Sequence, residues 1–138
     1  MSNSNQVKKE LWQYQNAKKE YDRLKAKREE IETQIMALGV DYSKEKVQST
    51  PGNDKLADAI DTLSKLREDA INEAKAMSDS MVNTYGMIEK VKDPLQRQLL
   101  QMRYIDAEEW EAICYRLGYS WRHIHRMHKE ALESLGGK

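Results

Sequence analysis

From Val7 to Leu38 the chain runs without a proline or a glycine, and its apolar side chains return on a seven-residue cycle. Val7, Tyr14, Tyr21, Arg28 and Ile35 hold one position of that cycle, and Glu10, Ala17, Leu24, Ile31 and Leu38 hold the other. All but Arg28 and Glu10 are apolar, and the residues between are mostly Lys, Glu, Gln and Arg. A repeat of about 3.5 residues keeps a narrow apolar stripe on one side of an α-helix. The segment is therefore constrained to be a long helix lying against a partner along a coiled-coil-like seam.

Gly39 is placed to end this helix, since glycine takes positive φ at no steric cost. Residues 40–53, VDYSKEKVQSTPGN, are rich in turn formers and read as a loop. A second seam follows in Leu56, Ile60, Leu63, Arg67, Ala70, Ala74, Met77, Met81, Thr84, Ile88 and Val91. The two helical segments are similar in length, which predicts an antiparallel hairpin over residues 1–92. Each seam carries one arginine. The long stems of Arg28 and Arg67 can pack while their guanidinium groups reach water. The alternative is a polar layer that fixes register, with Glu29, Glu30, Glu68 or Asp69 as partners. Leu11 and Trp12 lie off the seam and need a cover of their own. Homodimerisation through residues 1–92 is the favoured cover, and docking onto the C-terminal part is the other.

Residues 93–138 have a different grammar. Asp93-Pro94 is a strong helix start, with Asp to cap free amides and Pro suited to the first turn. Leu95, Leu99, Met102 and Ile105 form an apolar face. Asp106 and Glu109 are spaced as a capping box for a helix over 107–117, with Trp110, Ile113, Cys114 and Leu117 on its inner side. Gly118-Tyr119-Ser120 reads as a turn, and Ser120 caps a last helix that buries Ile124, Met127, His128, Ala131, Leu132 and Leu135. A helix-turn-helix needs a small residue where its helices cross, a glycine four residues on, and an aliphatic six beyond that. Cys114, Gly118 and Ile124 satisfy these demands in order. The expected fold class is all-α: a long antiparallel helical hairpin, then a three-helix helix-turn-helix domain over 93–138.

The stretch WEAICYRLGYSWRHIHRMHKEALESL resembles region four of bacterial sigma factors, and LLQMRYI before it matches that region's preceding helix. Over nearly its full length the chain resembles the small late-gene transcription regulators of phages, the RinA and ArpU-like group. The resemblance implies a phage or prophage protein that binds promoter DNA and activates late genes. Cys114 stands where the family usually has alanine, and Trp121-Arg122 replaces a commoner charged pair, so the base sequence read does not follow from the family.

A recognition helix over 120–135 lies in the major groove with its N-terminal residues at base edges. With Ile124, Ala131 and Leu135 turned inward, Arg122, His125, Arg126 and Lys129 turn outward. Arg122 and Arg126 have the fork that matches guanine O6 and N7. His125 and Lys129 are expected on phosphates, and Ser120 with the helix N-terminus on another. Trp121 either meets thymine methyls or the backbone, or shields the core beside Trp110. Arg116 and Tyr115 are further backbone candidates. Charge gives no general footprint: the chain has 23 basic and 23 acidic residues, for a net charge of zero. Affinity must then come from local placement of Arg and Lys.

Other chemistry is not expected. A single cysteine excludes an internal disulfide, and His125 and His128, one turn apart, lack the further ligands of a metal site. There is no Gly-rich phosphate loop and no nucleophile with a base, so neither an enzyme nor a cofactor is anticipated. No apolar run suits a membrane span or signal peptide, which implies a cytoplasmic protein. Double-stranded DNA is the expected partner, with host RNA polymerase a second. The competing classes are a small-terminase-like packaging protein and a polymerase- or sigma-binding protein that reads no bases.

Overall fold

In the computed structural model, residues 2–37 and 53–136 are described. The expected loop at 40–53, the Gly39 stop and Leu38 of the first seam lie outside them, apart from Asn53, which opens a helix. The described residues are all-α. Helix α1 (Ser2–Leu11) passes through Trp12 into α2 (Gln13–Ala37), and the bonds Trp12 N–H to Lys8 O and Asn16 N–H to Trp12 O carry the helical pattern across the break. Helix α3 is Asn53–Glu89, and α4 is Pro94–Leu100. A π-helical turn, Gln101–Ile105, continues α4, and α5 (Trp110–Leu117) and α6 (Trp121–Leu135) complete the chain.

The chain divides into two compact units, one of residues 1–18 and 76–138, the other of residues 19–75. The second unit is a two-helix seam. Ile35, Leu56 and Leu63 are buried together, with Ile31, Ala59 and Ile60 packed against them. Arg67 pairs with Glu32 at 3.1 Å, and both stay partly in solvent. That is the snorkelling arrangement with a carboxylate added, and the carboxylate comes from the facing helix rather than from the four neighbours considered in the sequence. Arg28 sits in the seam with its Nε buried and without a hydrogen-bond partner among the described residues.

The first unit departs from the boundary expected at 92/93. Its largest core joins Val7 and Leu11 of α1 with Ile88 and Val91, and with Leu100, Tyr104, Ala131 and Leu132. Leu11 is fully buried, so its cover is the C-terminal helices rather than a second chain. The physical reason is polar as well as apolar. A π-helical turn frees carbonyls that an α-helix would satisfy, and Gln15 Nε2 donates to two of them, Tyr104 O at 3.2 Å and Ile105 O at 2.8 Å. Thr84, fully buried, donates to the Leu11 carbonyl. Arg97 closes the turn before α4 by donating to Val91 O at 2.7 Å and Lys92 O at 3.1 Å.

The predicted capping box does not form. The π-helical turn carries the chain to Asp106, whose N–H bonds Gln101 O, and Ala107 then takes a left-handed φ of 58°. Helix α5 consequently starts late, at Trp110, with Glu109 as an N-cap that makes no side-chain bond.

Candidate nucleic-acid interface

Two local features set the angle between α5 and α6. Gly118 ends α5 at φ 77°, a left-handed conformation that costs an L-residue about 1–2 kcal/mol. Its N–H and that of Tyr119 both bond Cys114 O, at 2.9 and 3.2 Å. Ser120 then opens α6 in extended conformation, and its Oγ accepts the His123 N–H at 3.2 Å. Glycine and serine are thus required by turn and cap, in the roles the sequence assigned them.

Helix α6 is clamped between two cores. Ile124 and Met127 join Leu99, Met102 and Ile113, flanked by Leu95, Trp110, Cys114 and Leu117. One turn further, Ala131 and Leu132 enter the core built with Val7 and Leu11. Every residue expected on the inner side of α6 is buried except Leu135, which is partly covered. Clamping along its whole inner face leaves the opposite face free. Arg122, Arg126 and Lys129 lie along it, spaced four and three residues apart and all exposed. Glu133 follows on the same stripe at the C-terminal end. Arg122 and Arg126 sit in the first two turns, near the helix N-terminus, whose own partial positive charge has the same sign. Lys129 sits near the middle of the helix.

The predicted site residues separate into two groups. Arg122, Arg126, Lys129, Ser120 and Trp121 are exposed on or beside the open face of α6. Arg122 and Lys129 make no ion pair among the described residues, whereas Arg126 Nη2 lies 2.8 Å from His123 Nδ1. Arg116 is exposed but pairs with Glu108, so its charge is locally neutralised.

His125 is the correction. It does not reach outward as a cation for phosphate, because its ring is held between Trp121, at 4.4 Å, and Trp110, at 4.5 Å. Burial, and then the nearby Arg103 charge, hold its imidazole below the usual histidine range, which favours the neutral form. Its Nε2 is buried without a partner among the described residues. Part of the Trp121 indole covers His125, and just over half of the residue remains exposed.

His128 is internal as well. It bonds the Tyr104 hydroxyl at 2.8 Å and packs against Trp110 at 4.8 Å. Burial chiefly, then the charges of Lys8, His125 and Arg103, push its imidazole down to about 4. The Tyr104 hydroxyl is pushed up by the same burial. The two histidines considered as a metal pair are thus committed to ring packing.

Three supports around the site were not read from the sequence. Arg103 lies over both Trp110, at 4.7 Å, and Trp12, at 5.2 Å, and donates to Glu108 O. Gln15 holds the π-helical turn from the opposite end of the chain. Tyr119 packs against His123 with ring centroids 4.6 Å apart. Only the third was accessible in principle, since Tyr119 and His123 stand four residues apart across the Ser120 cap. The first two join residues far apart in the chain.

The described residues define the class as an all-α protein in which the tight turn over 118–120 joins its last two helices, α5 and α6. The chain belongs to the family described as Protein of unknown function (DUF1492), which it matches over residues 38–136. No curated protein and no solved structure matches it. No helix among the described residues is long and apolar enough to cross a membrane.

Proposed function

We propose that this protein is a sequence-specific, double-stranded DNA-binding regulator of transcription, with α6 as its recognition helix. The observation that carries the reading is the division of α6 into a fully clamped inner face and an outer face bearing Arg122, Arg126 and Lys129. A helix so held is rigid enough to present side chains in fixed register, which direct readout requires. Arg122 and Arg126 read base edges, Lys129 and Ser120 meet phosphates, and Trp121 presents an apolar surface beside them. His125 acts from within, under Trp121. Promoter binding in phage late transcription, contact with host RNA polymerase and self-association through residues 1–92 belong to the same proposal. Exposed Met36 and Ile71 in the second unit favour self-association.

Selection of bound duplexes from a random pool at moderate salt tests the reading, with an Arg122→Ala/Arg126→Ala variant alongside. The expected result is an enriched motif that the variant loses. Equal, motif-free binding by both proteins would rule out base readout and turn attention to polymerase or a sigma factor as the partner.

A further inference from the structure

His123 is held from three directions. Its backbone N–H is donated to Ser120 Oγ at 3.2 Å. Its ring lies 4.6 Å from that of Tyr119, with the planes tilted by 33°. Its Nδ1 lies 2.8 Å from Arg126 Nη2. A guanidinium has donors only, so this bond requires Nδ1 to be the bare acceptor and places the ring proton on Nε2. The bond occupies one of the five guanidinium N–H groups and leaves the others for a ligand.

Arg122 has no comparable support. It is exposed and makes no side-chain hydrogen bond among the described residues, so it must be ordered at the moment of binding. Immobilising a long side chain opposes association, and a guanidinium already fixed in place loses less. The two arginines of the open face are therefore unequal, one braced and one free.

We propose that His123 is a positioning residue for Arg126, and that this brace makes the base pair read by Arg126 the more stringently specified of the two. The inference rests on the DNA-reading function proposed above. His123 itself touches no base: it acts by accepting one N–H of Arg126 while Tyr119 packs against its ring and the Ser120 cap holds its backbone.

Duplex selection with wild type, Arg126→Ala, His123→Ala and His123→Asn tests it. Asparagine carries an acceptor oxygen close to where Nδ1 stands, and alanine carries none. The position relaxed by Arg126→Ala identifies its base pair. At that pair His123→Ala should lose about five- to tenfold of the preference, the lower part of what a bidentate arginine contributes. His123→Asn should restore most of it, while the remaining positions of the motif stay unchanged in both. Retention of the preference in His123→Ala, a uniform flattening of every position, or an Asn variant no better than Ala would each overturn the proposal. A second measurement needs no DNA. Two-bond proton–nitrogen correlation spectra of the full chain should show His123 with its proton on Nε2, and a changed tautomer balance in Arg126→Ala. Identical His123 spectra in the two proteins would overturn the brace. A wild type that selects no motif, with the tautomer shift present, would refute the DNA reading and the inferred specificity while leaving the contact itself standing.

Discussion

Acidification should destabilise the first unit through His128, and the size of the effect can be worked out. The residue is buried on the inner face of α6, bonded to the Tyr104 hydroxyl, with its pKa depressed from 6.5 to about 4. For a depressed histidine the unfolded chain takes up the proton first. Stability is therefore complete above about pH 6.5, falls as pH drops toward 4, and levels off below that. With these two values the loss between pH 7 and pH 5 is about 2 kcal/mol, a large share of the 5–15 kcal/mol typical of a domain. His125 is shifted in the same direction and adds to the slope.

Denaturant unfolding followed by circular dichroism at pH 7 and pH 5 measures this loss. His128→Gln is the comparison, because glutamine can still bond Tyr104 but does not titrate. Wild type should lose about 2 kcal/mol more than the variant over that interval. The His128 ring protons should also titrate with a midpoint near 4 rather than 6.5. Parallel losses in the two proteins, or an ordinary midpoint, would refute the argument that burial of a neutral imidazole holds this core together.

Two further perturbations address the fold. Leu11→Ala, at a fully buried position, should cost about 2–5 kcal/mol, whereas Met36→Ala, two-thirds exposed, should stay within about 0.5 kcal/mol. Equal effects in thermal or denaturant unfolding would deny that α1 closes the C-terminal core. Gly118→Ala should cost about 1–2 kcal/mol at its left-handed φ, while Ala107→Gly, also at positive φ, should be neutral or slightly stabilising. The opposite ordering would contradict the turn geometry on which the angle between α5 and α6 depends.

The parts legible in the sequence are those governed by local periodicity. The apolar seam residues Tyr14, Ala17, Tyr21, Leu24, Ile31 and Ile35 are all buried or half-buried on α2, because a helix puts residues three and four apart on one face whatever lies opposite. Gly118 and Ser120 were legible for a similar reason: turn and cap chemistry is decided within a few residues. The failures came where a distant partner decided the outcome. Glu109 could have served a capping box, but the π-helical turn, held by Gln15, moved the helix start past it. His125 looked like a surface cation because its position on α6 put Trp121 within reach but said nothing of Trp110, which comes from α5. The cover of Leu11 stayed open between a dimer and the C-terminal part because nothing nearby in the sequence reveals Tyr104 and Leu132.

The same distant contacts bear on how an electroneutral chain can hold a DNA-reading surface. Acidic groups are spent in pairs away from α6: Glu20 with Arg23, Glu32 with Arg67, and Glu108 with Arg116. Arg122 and Lys129 enter no such pair among the described residues, so net charge understates the potential at this one face. Presenting that face depends on both ends of the chain. Ala131 and Leu132 rest on Val7 and Leu11, and Arg103 bridges Trp12 to Trp110, which in turn supports His125 and Trp121. The family match begins at residue 38 and so includes α6 but not α1. A fragment cut at that point would carry the arginines yet leave Leu100, Tyr104, Ala131 and Leu132 uncovered, and a weak or unspecific result with it would reflect a helix no longer held. The full chain is the unit in which base readout has to be tested.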